Sequence, residues 1–146
     1  MSDLQHNLGY LFHHISSVLA RQSDQILLEQ LGIGFSQFKI LMILAEGKTI
    51  QQRQIATTLG QTEASISRQI KLLQENGMIV NQVNPANRRE HVTHLTPKGV
   101  KVTERATEIL NNYHAPIFSK LSERQQVQLR ELLSAMHEAT CNTQDH

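Results

Sequence analysis

The sequence predicts a mainly α-helical chain with one small β-hairpin, and two observations carry this prediction. Six segments place their apolar residues three or four positions apart, which is the spacing of an amphipathic helix. Between the fourth and the fifth segment, two short stretches rich in β-branched residues flank turn-forming residues, as in a hairpin. The chain has 146 residues, so we expect one domain, residues 1–146, with a core of its own.

Composition excludes several classes of protein. Hydrophobic residues make up 39% of the chain and charged residues 18%, which is too apolar and too weakly charged for intrinsic disorder. The longest apolar run, Ile40 to Ala45, is far shorter than the roughly 20 residues that span a bilayer. The N-terminus lacks the pattern of a signal peptide, and the single cysteine, Cys141, excludes an internal disulfide. We therefore expect a soluble cytoplasmic protein with no role in a membrane.

The first two predicted helices are separated by glycines. Gly32 and Gly34 favour a turn, Ser36 is expected to cap the second helix, and Gly47 ends it. The first helix is expected to span residues 4–28, with an apolar stripe of Leu4, Leu8, Leu11, Ile15, Val18, Gln22 and Ile26.

The third and fourth predicted helices lie close together in the sequence. The third runs from about Gln52 to Leu59 and stops at Gly60. Thr62 is expected to cap the fourth, which runs to Asn76 and Gly77. The apolar stripe of the fourth helix is Ile66, Ile70 and Leu73.

A hairpin and two further helices complete the chain. The predicted strands are residues 78–83 and 91–95, with residues 84–90 as the loop between them. Thr96 and Pro97 open a fifth helix that Pro116 is expected to interrupt. Ser122 and Gln125 form a capping-box pattern for the sixth helix.

Three helices followed by a hairpin are the element order of a winged helix-turn-helix, which is predicted here for residues 36–96. Residues 1–34 and 97–146 would then supply flanking helices. Their apolar stripes exceed what the small central module can cover, so we expect these helices to form a homodimer. The apolar residues that a dimer would bury are Leu4, Leu8, Leu11, Leu129, Leu133 and Met136.

The fourth helix is the candidate recognition helix. The half of its surface opposite the apolar stripe suits a DNA major groove, because small residues allow close approach, hydroxyls bond phosphates or base edges, and Arg can bind guanine with two hydrogen bonds. An ordinary solvated helix face is the alternative interpretation. The candidate contacts are Thr62 at the cap and Ala64, Ser65, Ser67, Arg68 and Lys71 along the helix.

The hairpin adds a second basic element. Arg88 and Arg89 lie where a wing would contact the DNA backbone or enter a minor groove, whose negative potential attracts Arg. The alternative is a surface turn that happens to carry two arginines. Residues 51–98 hold six basic and three acidic residues, a charge of +3, whereas the remainder holds eight basic and ten acidic residues, a charge of −2. This asymmetry favours a module that faces a polyanion.

The sequence resembles the MarR (multiple antibiotic resistance regulator) family over nearly its whole length. The matching segments are Gln54–Gly60, Ala64–Ile79, Asn84–Arg89 and Leu95–Gly99, of which Leu-Thr-x-x-Gly after a basic wing is the most specific. The resemblance implies a homodimeric transcriptional regulator that binds a pseudo-palindromic double-stranded operator, often a repressor released by a small ligand. A winged-helix module that binds protein rather than DNA is the alternative function.

Two positions depart from the family pattern. Family wings usually carry Asp two residues before the second Arg, where it pairs with that Arg, and this chain has Asn87. The third helix usually begins with a hydroxyl or acidic cap, whereas Gln51 or Gln52 occupies that position here. Neither departure changes the assignment to the family.

The resemblance also implies a pocket for a small aromatic or anionic effector, between the dimerising helices and the DNA-binding module. Phe12, Phe38 and Met42 are the candidate wall residues, and Arg21 or His14 is the candidate partner of an anionic group. For each residue singly, ordinary core packing is the simpler interpretation.

Other chemistry finds little support in the sequence, and we expect no cofactor, no metal site and no enzymatic activity. His91 and His94, three positions apart on a strand, point to opposite faces and cannot chelate one ion together. His6, His13 and His14 fit a solvated or dimer-contacting surface, and the neighbours of Cys141 do not activate a thiol. No phosphate-binding glycine motif or nucleophile elbow occurs.

Overall fold

A computed structural model describes residues 3–47 and 50–141, and it confirms a mainly helical fold with a small antiparallel sheet. A short 3-10 turn at Leu4–His6 precedes the first α-helix. The helices are α1 (Leu8–Leu31), α2 (Phe35–Ala45), α3 (Gln52–Leu59), α4 (Glu63–Glu75), α5 (Pro97–Phe118) and α6 (Glu123–Cys141), and the strands are β1 (Ile50–Gln51), β2 (Ile79–Asn84) and β3 (Asn87–Leu95).

The chain divides into two compact units, Met1–Ile109 and Leu110–His146. The first unit contains α1 to α4, the sheet and the first part of α5, and the second contains the rest of α5 and α6. Among the described residues, no single helix is both long and apolar enough to cross a membrane. Only α1 and α2 taken together meet that test, and an 83° bend separates them.

The first long helix begins later and ends later than the sequence predicted. Asn7 stops the 3-10 turn and caps α1, because its Oδ1 accepts a hydrogen bond from the Tyr10 backbone N–H at 2.8 Å. Gly32, in the left-handed region with φ 68°, ends the helix. In its last turns α1 buries Ser23 and Leu27, so the predicted stripe is wrong by one position there.

The start of α2 also differs from the prediction. Ser36 lies inside the helix, and the cap position is Gly34. The Phe35 N–H donates to Asp24 Oδ1 at 2.8 Å, and the Gly34 N–H donates to Gln37 Oε1 at 3.0 Å. A carboxylate from α1 therefore satisfies one of the unpaired donors at the start of α2.

The core of the first unit is formed by aliphatic side chains from α1 to α5. The predicted stripe of α4 is confirmed, since Ile66, Ile70 and Leu73 are buried. α4 packs against α2, α3 and β2. Other fully buried members of this core are Leu27, Ile33, Ile40, Leu41 and Ile55.

The sheet has three strands in the order β1-β3-β2, all antiparallel. The prediction missed β1, whose residues Ile50 and Gln51 pair with Thr93 and Val92. The predicted seven-residue loop is also wrong. The strands extend until Asn84 pairs with Asn87, and only residues 85 and 86 form the turn.

The end of the hairpin is attached to α4 through the first turn of α5. As predicted, α5 begins at Pro97, and Thr96 Oγ1 accepts a hydrogen bond from the Gly99 N–H at 3.1 Å. The Thr96 N–H in turn donates to the Met78 carbonyl at 3.0 Å. A Cβ at position 99 would lie 2.0 Å from that carbonyl oxygen, so the close approach requires glycine.

The helices of the second unit follow the sequence with one exception. The Ser122 N–H donates to Gln125 Oε1 at 2.9 Å and the Gln125 N–H to Ser122 Oγ at 3.2 Å, which is the predicted capping box at the start of α6. Pro116, expected to interrupt α5, lies inside it, and the helix continues to Phe118.

Replacing Gly99 tests the contact between α5 and Met78. In Gly99→Ala, the new Cβ overlaps a backbone oxygen that cannot rotate away, so we expect a loss of about 1–3 kcal/mol in the free energy of unfolding. Urea denaturation at fixed protein concentration measures the loss.

Gly9→Ala is the matched control, because Gly9 lies in the first turn of α1 and a Cβ there would be 3.3 Å from the side chain of Asn7. It should change the free energy of unfolding by no more than about 1 kcal/mol, because the gain from replacing glycine in a helix is offset by the shift that Asn7 Oδ1 must make. Equal stability of Gly99→Ala and the wild type would contradict the described packing.

Candidate nucleic-acid interface

Helix α4 begins at a well-defined cap. Thr62 Oγ1 accepts a hydrogen bond from the Ser65 N–H at 3.1 Å, as the sequence predicted. The Ser65 hydroxyl donates to Gln61 Oε1 at 3.4 Å, so Ser65 is half-buried against the residue before the cap. The start of the candidate recognition helix is therefore fixed by local contacts.

The candidate contact residues of α4 lie on its solvent side. The side chains of Ala64, Ser67, Arg68 and Lys71 are exposed, opposite the buried apolar stripe. Over the described part of the chain the one ion pair joins Arg105 to Glu108, so neither Arg68 nor Lys71 forms an ion pair with a described carboxylate. Glu75 lies four positions after Lys71 on the same helix. The face presents two cations and small side chains to solvent.

Four further residues of α4 are exposed: Glu63, Leu72, Gln74 and Glu75. Glu63, in the first turn, adds a negative charge beside the cap. Leu72 is 45% exposed and lies next to Lys71 in the sequence, so an apolar side chain borders the basic face. A phosphate would avoid both Glu63 and Leu72, whereas a thymine methyl group could contact a leucine.

Arg88 and Arg89 lie on β3 beside the two-residue turn of the hairpin, and both are exposed. The turn is held by two asparagines. Asn84 Oδ1 accepts from the Ala86 N–H at 3.0 Å, and Asn87 Oδ1 accepts from the Arg89 N–H at 3.2 Å. The arginines are thus carried by paired strands, which restrict their backbone more than the predicted loop would.

The base of the hairpin contains a buried polar pair that the sequence did not indicate. The Thr93 hydroxyl, 0% exposed, donates to Asn81 Oδ1 at 3.1 Å across β2 and β3. Thr93 also pairs with Ile50 of β1, so one residue joins all three strands. This pair fixes the register of the hairpin that carries the arginines.

The five predicted effector-binding residues differ in burial and in their contacts. Phe12, His14 and Arg21 are exposed on α1, where the ring of His14 stacks on that of Tyr10 at 5.5 Å. Phe38 is a buried core residue of α2. Met42 is exposed, and its sulfur lies 3.6 Å from the Thr107 hydroxyl oxygen, whose hydrogen bond to the Thr103 carbonyl is shorter at 2.8 Å.

A groove of about 350 Å³ lies elsewhere in the first unit, between the end of α2, the end of β3 and the first turns of α5. None of the five predicted residues lines it. Leu44, Leu95 and Val100 provide its apolar surface, and His94, Thr103 and Glu104 its polar groups. Over the described residues, no cluster of three or more His, Cys, Asp or Glu side chains could hold a metal ion.

Comparison with known proteins finds similarity to one family of regulators. A model of the MarR family matches residues 31–90, which contain α2, α3, α4 and most of the hairpin. A curated relative, the putative transcriptional regulatory protein for the hcr operon of Thauera aromatica, is 23% identical over 136 residues, which cover 93% of this chain and 82% of that protein. The chain is therefore similar to MarR-family transcriptional regulators, and the matched residues include the candidate recognition helix.

Solved structures of other proteins share the fold. The repressor CouR bound to a 23-mer DNA duplex superimposes with a TM-score of 0.83 at 24% identity, over 93% of this chain and 96% of that one. The S. aureus MepR–DNA complex gives a TM-score of 0.77 at 27% identity, over 91% of this chain and 97% of that one. CouR from Rhodococcus jostii RHA1 bound to p-coumaroyl-CoA gives a TM-score of 0.78 at 21% identity, over 91% of this chain and 93% of that one.

The two departures from the MarR-family pattern both make hydrogen bonds. Asn87 supplies a side-chain acceptor, but to the backbone N–H of Arg89. Gln51 is the cap residue of α3, and its own N–H donates to Gln54 Oε1 at 3.0 Å. In both places an amide group satisfies a local backbone donor without adding a charge.

Proposed function

We propose that this chain is a MarR-family homodimeric repressor that binds a specific double-stranded DNA operator, and that it is not an enzyme. The observation that carries the proposal is that α4 has one buried apolar face and one exposed basic face. The apolar stripe on one face is fully buried, and the other face presents small side chains with Arg68 and Lys71, which form no ion pair with a described carboxylate. A regulator of this kind acts on the chromosome, so we propose a cytoplasmic location.

In the proposed complex, α4 enters the major groove. Ala64, Ser65 and Ser67 allow close approach, and Arg68 donates two hydrogen bonds to a guanine. Lys71 and Thr62 are positioned for phosphate contacts, which supply affinity without sequence information. The DNA duplexes bound to CouR and MepR support this arrangement.

The hairpin supplies the second proposed contact. Arg88 and Arg89 stand at the end of two paired strands, and their charges are suited to a minor groove or to the adjacent phosphates. The rival function is a winged-helix module that binds protein, for which neither Arg68 nor Arg89 would affect binding to DNA.

We further propose that residues 1–34 and 97–146 form the dimer, with residues 36–96 as the DNA-binding module. Leu8 is 83% exposed and Leu132 is 65% exposed, which leaves large apolar side chains in water on both α1 and α6. A soluble protein rarely exposes so much apolar surface unless a partner covers it. Other exposed apolar residues in these two segments are Leu4, Ile15, Val127, Leu133 and Met136.

Release by a small ligand is the remaining part of the proposal, and the groove beside α5 is its proposed site. Its apolar surface suits an aromatic ring, and p-coumaroyl-CoA bound to CouR supports a small-molecule effector. Among the described residues that line the groove, Glu104 is the one acidic side chain, so a neutral aromatic molecule should fit better than the anion that Arg21 or His14 would attract.

Substitution of Arg68 and of Arg89 tests the DNA contacts. Arg68→Ala should cost about 1–3 kcal/mol at each half-site and relax the preference at one base pair. Arg89→Ala should lower the affinity for all duplexes by a similar factor. It should also flatten the slope of log affinity against log salt by about one for each phosphate that is no longer neutralised. Fluorescence anisotropy over a salt series measures both effects.

Arg105→Ala is the matched control, because Arg105 is exposed on α5 and pairs with Glu108 outside the proposed DNA interface. It removes the same charge and should leave the affinity and the slope close to those of the wild type. Unchanged binding in both Arg68→Ala and Arg89→Ala would favour the protein-binding module.

The dimer is tested by replacing one exposed leucine. Leu8→Asp removes an apolar side chain from the proposed interface and adds a charge, so we expect the dimer dissociation constant to rise about tenfold or more. Leu72→Asp, on α4, is the matched control and should leave it unchanged. Sedimentation equilibrium measures both, and a monomeric wild type at micromolar concentration would refute the dimer.

The effector site is tested by calorimetry with salicylate and with its neutral amide, salicylamide. Because like charges repel by about 1 kcal/mol at 4 Å in water, Glu104→Gln should strengthen salicylate binding up to about fivefold and leave salicylamide unaffected. Tighter binding of salicylate than of salicylamide to the wild type, abolished by Arg21→Ala, would assign the effector to α1 instead.

A further inference from the structure

The C-terminal end of α4 is held by backbone hydrogen bonds and by a side chain from outside the helix. The backbone N–H groups of Asn76, Gly77 and Met78 donate to the carbonyls of Leu72, Gln74 and Leu73. The last carbonyls of an α-helix have no partner within it and carry a partial negative charge. The last turn of α4 contains no basic residue of its own. Instead, the Lys98 ammonium, from the first turn of α5, donates to the carbonyl oxygen of Asn76 at 2.7 Å.

Other contacts from the same turn of α5 hold the residues that follow Asn76. The Thr96 hydroxyl donates to the Gly77 carbonyl at 2.6 Å, and the Thr96 N–H donates to the Met78 carbonyl at 3.0 Å. Residues 76–78 and 96–99 thus form one junction, which we call the α4–α5 clasp. Within the clasp, Lys98 supplies the charged contact.

We propose that Lys98 is a positioning residue for DNA recognition: its ammonium caps α4 and holds the recognition helix in its bound orientation, instead of contacting a phosphate. The inference rests on the proposed DNA binding. Arg68 and Lys71 can meet their partners together only if α4 keeps one orientation, since a loose helix must be ordered at the moment of binding. Core packing fixes the buried face of α4, and the clasp fixes its end.

The experiment combines a measurement on the free protein with one on the complex. Hydrogen exchange of the Asn76, Gly77 and Met78 amides reports how often the end of α4 opens. Affinity for a selected duplex reports the consequence. The variants are Lys98→Met, which removes the donor, and Lys98→Arg, which keeps a cationic donor at the same position.

Lys101→Met is the matched control, because it removes the same charge from an exposed lysine one turn further along α5. Urea midpoints for all variants separate local loosening from loss of global stability. If Lys98→Met unfolds, exchange and affinity are compared between Lys98→Arg and Lys98→Gln instead, since Gln keeps a donor without the charge.

The proposal predicts that Lys98→Met raises exchange of the three amides and lowers duplex affinity, each by about two- to fivefold. Lys98→Arg should restore both, and Lys101→Met should change neither. Unchanged exchange in Lys98→Met overturns the proposal. So does a loss of affinity that comes with wild-type exchange and a flatter salt slope, because that result assigns Lys98 to a phosphate.

Failure of the proposed function gives a different pattern. A wild-type protein that selects no duplex, while Lys98→Met still raises exchange at residues 76–78, refutes DNA binding and the role of Lys98 in it. A wild-type protein that selects a duplex, together with weaker binding and faster exchange in Lys98→Met, supports both.

Discussion

Burial of one side of α4 is the constraint on which the rest of the structure depends. Ile66, Ile70 and Leu73 are all but inaccessible to water, and each such side chain stabilises the folded state by about 1.5–3 kcal/mol relative to exposure. A helix held in this way cannot rotate about its axis. Arg68 and Lys71 therefore face solvent because the apolar residues on the opposite side of the helix face inward.

Contacts at both ends of α4 also help to fix its position. Thr62 closes its start, and the clasp with Lys98 and Thr96 closes its end. Thr103, which lines the groove, donates to the carbonyl of Gly99 at 2.7 Å, so the groove and the clasp share a backbone segment. A movement of this shared segment would therefore affect both the groove and the end of α4.

Local sequence signals predicted α4, the start of α5 and the capping box of α6 because each depends on residues near one another in the chain. The periodicity of Ile66, Ile70 and Leu73 and the cap at Thr62 needed no tertiary information. The strand β1 was missed because two residues carry no period, and the caps from Asp24 and Lys98 were missed because their partners lie 11 and 22 positions away. Periodicity cannot identify contacts of this range.

The residues of the candidate site also divide into those that local spacing predicts and those that it does not. The residues of the α4 face could be chosen from helical spacing alone, whereas the five effector residues were chosen by family analogy and scatter over exposed and buried positions. The hairpin was found, but its strands reach further than turn propensity indicated, because pairing between β2 and β3 outweighs the local preference of Asn84 and Asn87 for a loop.

Selection of duplexes from a random DNA pool by the purified protein tests the central claim most directly. A homodimer with one recognition helix per subunit should enrich an inverted repeat whose half-sites are one helical turn apart, about 10–10.5 base pairs. Arg68→Ala should enrich the same repeat with one position in each half-site relaxed. Enrichment no greater than that obtained without protein, at low salt, would contradict the account.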